Sequence, residues 1–403
     1  MIYHARLIEA IYAALGLMVL LTIAAFFLSE SGRINNFPTY IVGLLFIVLL
    51  VLDRSLVRHI DVPLMSGIVG LLVYLSVTAL WADNGGFTAM LLQLGYGALI
   101  VSFVYSVLML HIYYPAFSRF LIWFTVLAAV VSASYSVQLH YALPDYQPLL
   151  EDRLVALGRL HNPVIGALSY GMAIVMTLYL MIRGGEHNDR FLSSFCLIAL
   201  GIGVALTYTR SVWVGISIVA LYAIACYLPG SRVRKVLAGG IFLIAVAGLI
   251  IAHFGWDELV KRSTSFRPEI WGELISRTLQ ANWFLGHGIT ADSSVAHSSY
   301  EHGVFSFHHA HSVYVATFFY GGLLGFLGLG ALLIILGLRL YRAEESELRN
   351  LASMMLLYAV VVMFFDGDRI LEKVDYLWIV FWLPVALVLI VDRTNIQESR
   401  LGR

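Results

Sequence analysis

Apolar runs of about 20 residues recur along the whole chain, parted by short polar stretches. A run of that length, wound as an α-helix, crosses a hydrocarbon layer of about 30 Å. The pattern predicts helices over roughly 7–28, 38–52, 62–80, 88–110, 119–139, 163–182, 191–209, 211–228, 235–254, 312–338, 350–365 and 374–391, about twelve in all. The seventh and eighth are joined by only a residue or two around Arg210. Two connections are long, residues 140–162 and 255–311, and loops of the larger size are functional or disordered. The stretch RPEIWGELISRTLQANWFLGHG within the second argues for order. Pro268 suits a first helical turn, and Trp271, Leu274, Ile275 and Thr278 follow a 3.6-residue period, which predicts an amphipathic helix near the membrane surface. No internal repeat or second soluble unit is visible. The expected fold is all-α and polytopic: a single transmembrane domain over residues 1–403, with the 255–311 loop inside it.

Composition agrees, since 60% of the 403 residues are hydrophobic and only 12% charged, against roughly 45–50% and about 25% in a soluble protein. The formal net charge is zero, so nothing points to nucleic acid and the placement of charges carries the information. If the N-terminus is cytoplasmic, fifteen of the 25 basic residues fall on that side, mostly on short loops: Arg6, Arg54, Arg58, Arg119, Arg183, Arg190, Arg232, Arg234, Lys235, Arg339, Arg342, Arg349, Arg393, Arg400 and Arg403. Both termini are therefore expected to be cytoplasmic. Nine of the 13 histidines, His140, His161, His253, His287, His297, His302, His308, His309 and His311, then face the other side, where any chemistry is expected. The N-terminal MIYHARLIEAIYAALGLMVLL lacks a small-residue cleavage pattern and reads as a retained first helix. Cys196 and Cys226 lie in apolar runs and read as small buried side chains.

A few polar groups stand out against this background. Arg210, in LTYTRSVWVG, sits between two apolar runs, where a guanidinium either snorkels to headgroups or meets an anion. Arg267, in FRPEIWGEL, opens the amphipathic helix, and its planar fork suits phosphate as well as solvent. Arg153, Arg159 and Arg277 are weaker candidates of the same kind. In FHHAHSVYVATFFYGG, His308 and His311 have the i, i+3 spacing that would set two imidazoles on one helical face, which suits a metal, but no third ligand follows from spacing. One histidine near a membrane mouth fits general acid–base work better. Asp366 and Asp368, in FFDGDRI, read as a helix-end turn whose carboxylates pair with a neighbouring arginine.

Taken in order, GRLHNP, TYTRSVWVG, FRPEIWGEL with ANWFLGHGI, and HHAHSVYVATFFYGGLLG resemble the O-antigen ligase/polymerase superfamily over roughly residues 155–330. The marker is a histidine followed by nine residues and a glycine, here His311 and Gly321. The resemblance implies a membrane-embedded glycosyltransferase in the inner membrane that uses glycans on undecaprenyl pyrophosphate at the periplasmic face. It further implies an inverting transfer with no metal, cofactor or nucleotide hydrolysis. By the same resemblance Arg210 and Arg267 hold the pyrophosphate, with Arg159, His161 and His309 as further substrate contacts. His311 then serves the acceptor hydroxyl as base or orienting partner, unless His308 or His309 takes that place. Gly321 and Gly322 let their helix approach a neighbour or a lipid chain. Members differ in acceptor: lipid A core for a ligase, another repeat unit for a polymerase, or a protein hydroxyl. The single large outer loop, and a chain that stops about a dozen residues after the last span, favour the ligase. A transporter would instead show mid-membrane charges and broken helices lining a path.

Overall fold

The computed structural model describes residues 2–53, 61–142, 153–182, 187–227, 230–254, 266–299 and 303–391. Arg54, Arg58, Arg183, Arg393, Arg400, Arg403 and His302 lie outside the described residues. The helices are α1 (Ile2–Leu28), α2 (Gly32–Leu52), α3 (Val62–Val77), α4 (Phe87–Tyr113), α5 (Phe117–Ala142), α6 (Pro163–Ile182), α7 (His187–Leu206), α8 (Arg210–Tyr227) and α9 (Arg232–Phe254). They are followed by α10 (Arg267–Ala281), a hairpin of β1 (Val295–Ser299) and β2 (Gly303–Phe307), α11 (Val313–Arg342), α12 (Glu347–Phe365) and α13 (Trp378–Val391). Among the described residues ten helices are long and apolar enough to cross a membrane, and α9 and the shorter α13 occupy the other two places at which the sequence predicts spans. The protein is an all-α, multi-pass membrane protein with one small hairpin in its longest loop.

Local chemistry explains where the helices begin. Ser31, Asp61, Ser312 and Ser346 cap α2, α3, α11 and α12 by accepting from the backbone N–H groups of Ile34, Leu64, Val315 and Arg349. The Ser31 cap starts α2 six residues before the expected Pro38, which therefore lies inside the helix. At the centre stands α13, hydrophobic on all sides and buried at every position from Trp378 to Val391. Its complete enclosure by other helices lets a short segment serve where lipid-facing ones must be longer. Tyr358 of α12 donates to the Leu168 carbonyl of α6 at 3.0 Å, which ties α12 to the bundle and fixes where its last turn emerges. Cys196 is buried as expected, but Cys226 is exposed near the end of α8, so only one of the two cysteines is a core side chain.

The long loop is ordered where described. Helix α10 turns Ile270, Leu274 and Thr278 inward onto Ala316, Phe319 and Tyr320 of α11. That face is offset from the predicted one, because Ile275 points outward and Trp271 is only partly buried. Residues 282–289 then insert into a break in α11. Gly322 has φ +58° and ψ −159°, and the carbonyls freed there are taken by the loop: His287 and Gly288 donate to Phe319 and Tyr320, while Leu323 and Leu324 donate to Trp283 and Phe284. Tyr74 of α3 closes the joint by donating to the Gly321 carbonyl at 2.7 Å. Irregular backbone inside a span is tolerated when protein satisfies its polar groups. The broken helix a transporter would use is present here, but it is filled by the protein's own loop.

Candidate active site

Because successive spans run antiparallel, the starts of α8, α10 and α11 and the end of α12 come together at one end of the bundle. Their meeting point is Asp366, the C-cap of α12, whose side chain is 1% exposed. Arg267, the first residue of α10, donates from Nη2 to Oδ1 of Asp366 at 2.8 Å. Ser211, next to Arg210 at the start of α8, donates to Oδ2. His311, directly before the cap of α11, places Nδ1 at 3.9 Å from Oδ1, an electrostatic contact just beyond hydrogen-bond reach. Burial alone would raise the Asp366 carboxyl, but His311, the Arg267 guanidinium and the Ser211 hydroxyl outweigh it and hold it below the usual carboxylate value. A buried anion thus joins three residues that lie 55, 99 and 155 positions before it in sequence.

The backbone at these segment starts is strained. Among the described residues three non-glycine positions have positive φ: Tyr208 at 52°, Phe266 at 56° and His311 at 50°. The first lies two residues before Arg210, the second immediately before Arg267, and the third is the histidine itself. Each such conformation costs roughly 1–3 kcal/mol and persists only where the surroundings enforce it, as they tend to at functional sites. Around Tyr208 the enforcing group is Arg153, which donates to the Thr207 carbonyl at 2.8 Å and to Thr209 Oγ1 at 3.2 Å. Around His311 it is Trp271, whose Nε1 donates to the Ala310 carbonyl at 2.9 Å.

His311 keeps 25% of its side chain exposed, so its ring can meet a ligand while its Nδ1 edge faces a carboxylate. The ring of His309 packs against it with centroids 3.8 Å apart. Burial, with the neighbouring His311 adding, pushes His309 down to about 4, so it stays a neutral imidazole beside its partner. His308 takes no part in this pair: its Nδ1 lies 3.2 Å from Ser294 Oγ. The helical i, i+3 pairing of His308 and His311 does not form, because α11 starts only at Val313 and the residues before it are a bend.

The other expected contacts divide. Arg267 lies in the cluster and exposes 23% of its side chain, and its Nε has no hydrogen-bond partner among the described residues. Arg210 opens α8 beside Ser211. Arg159 is drawn elsewhere: its N–H donates to the Phe26 carbonyl, and its guanidinium lies near Gly32, within electrostatic reach of Asp375. His161 is exposed just before α6. Arg277 is a brace, donating to the carbonyls of Ser294 and Asp292 and lying 5.2 Å over the ring of Phe319. The expectation that both Asp366 and Asp368 pair with a neighbouring arginine holds in its letter, through Arg267 and Arg369, but Asp366 does much more than end a helix.

A family model described as O-Antigen ligase matches residues 195–330, the stretch that carries Arg210, Arg267 and His311. A curated O-antigen ligase of Pseudomonas aeruginosa strain PAO1 is 25% identical over 330 residues, covering 81% of this chain and 77% of that protein. The chain is similar to O-antigen ligases over most of its length. Within the matched region lie all three residues that reach Asp366, namely Ser211, Arg267 and His311, whereas Asp366 itself falls outside it. A superfamily search confined to the matched stretch would therefore miss the residue on which these side chains converge.

Proposed function

We propose that the chain transfers a polysaccharide from undecaprenyl pyrophosphate to a hydroxyl of lipid A core at the periplasmic face of the inner membrane, with both termini cytoplasmic. The observation that carries this reading is the convergence of Arg267, the Arg210–Ser211 start of α8, and His311 on one buried carboxylate. Breaking a glycosyl–pyrophosphate bond develops negative charge on the leaving group. Preorganised hydrogen-bond donors stabilise it, and in another enzyme one donor to a developing oxyanion is worth about 10²–10³ in rate. Arg267 is pre-set by Asp366 and still has donor capacity to offer, and Arg210 opens the adjoining helix. At the same time the acceptor hydroxyl must lose a proton. With Asp366 facing Nδ1, the His311 tautomer that is protonated there is favoured and Nε2 is left as the acceptor, the same logic by which a buried carboxylate orients a catalytic histidine. Attack from the face opposite the pyrophosphate inverts the anomeric carbon. Because the pyrophosphate is already an activated leaving group, neither a metal nor a nucleotide is required in this scheme.

His311→Ala should lower transfer by about 10²–10⁴-fold, the usual worth of general-base help, without lowering the amount of folded protein. Normal capping of lipid A core by that variant would refute the assignment. A strain lacking the gene separates the acceptors: a ligase leaves core uncapped while long polysaccharide accumulates on the lipid carrier. Core bearing a single repeat would instead identify a polymerase.

A further inference from the structure

The segment carrying His311 is held from two sides. Trp271 of α10 fixes the Ala310 carbonyl, and a second line of contacts fixes the His308 carbonyl, so the loop is pinned on either side of His309. That second line begins at Asp368, whose Oδ1 and Oδ2 lie 3.1 and 3.3 Å from the hydroxyl of Tyr320 on α11. The Tyr320 hydroxyl is 2.9 Å from Ser293 Oγ, and Ser293 Oγ donates to the His308 carbonyl at 3.2 Å. Tyr320 and Ser293 are 3% and 4% exposed, so water does not substitute for these contacts.

Counting protons distinguishes two states of this line. There are three contacts, and the two hydroxyls bring only two hydrogens between them. With Asp368 ionised, Tyr320 donates to the carboxylate, and Ser293 must choose between Tyr320 and the His308 carbonyl. With Asp368 protonated, the acid donates to Tyr320, Tyr320 to Ser293, and Ser293 to His308, so every contact is made. We propose that Asp368, Tyr320 and Ser293 are positioning residues for His311, forming a directed hydrogen-bond chain that is complete when Asp368 carries its proton. This assignment rests on the transferase reading of the His311 site.

The surroundings allow that state to be populated near neutrality. Burial pushes Asp368 up to about 6, against the pull of the Arg369 guanidinium and the Tyr320 hydroxyl, with Glu372 adding to the rise and His311 opposing it. Arg369 lies 3.4 Å from Asp368 and 3.3 Å from Glu372, its guanidinium 6.0 Å from the centre of the Tyr320 ring. Tyr376, which interacts with the Asp368 backbone, also faces this corner, and Asp375 and Tyr96 lie within electrostatic reach of Arg369. The sign follows: the chain is complete below about pH 6 and loses one contact as pH rises through that value.

The test uses full-length protein in proteoliposomes with a purified lipid-linked polysaccharide donor and lipid A core. Tyr320→Phe keeps the ring beneath Arg369 and removes the link, and Ser293→Ala removes the next one. Each is expected to lower kcat about 10- to 100-fold with KM for the donor within about twofold, as a displaced catalytic group does. Asp368→Asn donates to Tyr320 at every pH, so the ratio of its rate to the wild-type rate should climb as pH rises from about 5 to about 8. A flat ratio, or Tyr320→Phe and Ser293→Ala proteins with wild-type kcat, overturns the proposal, as does a loss of rate that tracks a loss of folded protein. A second measurement is independent of transfer: the rate at which diethyl pyrocarbonate modifies His311, followed by mass spectrometry, should change severalfold in both variants. If wild-type protein fails to transfer while this labelling changes, the transferase reading fails and the positioning chain stands. Unchanged labelling in an active protein has the opposite meaning.

Discussion

Asp366 is the residue on which the site depends, and it makes the sharpest single-residue expectations. Asp366→Ala leaves the Arg267 guanidinium facing a cavity with no counter-charge. Because Arg267 is 23% exposed and partly screened, the cost is expected at about 1–3 kcal/mol, below that of a fully buried broken pair. Asp366→Asn keeps a side chain that still accepts from Ser211 but loses the charge, so transfer should fall about 10²-fold while the protein remains folded. The pH dependence of stability follows from the lowered Asp366 carboxyl. Its contribution is present above the unfolded value, near pH 4, and is lost as pH falls through the folded value. Thermal unfolding followed below about pH 4 should therefore show a steeper loss for wild type than for Asp366→Asn. His311 and Arg267 stand out in the sequence as candidates because arginine and histidine are informative residue types wherever they adjoin apolar runs. The role of Asp366 is not legible in the same way, because nothing in FFDGDRI says that the starts of two other helices, 99 and 155 positions away, end against it.

Among the elements, α11 carries the least expected feature. A Cβ on Gly286 would lie 2.4 Å from the Gly322 nitrogen, and one on Gly322 would lie 2.5 Å from the Gly286 nitrogen, while both residues have positive φ. Alanine at either position meets backbone that cannot yield and a disfavoured conformation, each worth about 1–3 kcal/mol. Gly286→Ala and Gly322→Ala are expected to lower the melting temperature of the detergent-solubilised protein, whereas Gly330→Ala, with open space around its Cβ, should not. Melting curves that fail to separate these variants would contradict the interlocked joint. The sequence showed the glycine pair 321–322 and a reason for close approach, but not the partner: residues 282–289 look like a plain loop, and only their hydrogen bonds to Phe319 and Tyr320 make them part of α11. The hairpin escaped for a different reason. VAHSS and GVFSF lack the alternation and the Asn-Gly type of turn that mark a hairpin. The offset of α10 has a third cause, since periodicity locates an apolar face only to within a residue or so and α11 selects which residues turn inward.

For the molecule as a whole, hydropathy was enough to set the architecture, because each span must satisfy its own backbone and so leaves an uninterrupted apolar signature. What hydropathy could not reveal is the ordering of the bundle around α13, whose burial on every side comes from packing that single-span arithmetic does not contain. The charge pattern also makes a sidedness prediction. In a chain with Cys226 replaced, a cysteine at Tyr341, 81% exposed at the basic end of α11, should react with a membrane-impermeant thiol reagent only from the cytoplasmic side. A cysteine at His161 should react only from the periplasm, and the reverse pattern would invert the proposed topology. The transfer itself is the most direct test of the proposed function. Purified protein reconstituted with undecaprenyl-pyrophosphate-linked polysaccharide and lipid A core, with chelator and without nucleotide, should yield polysaccharide-capped core and free undecaprenyl pyrophosphate, and His311→Ala should yield neither. Lengthened lipid-linked polysaccharide with uncapped core, or capping that persists without His311, would contradict it.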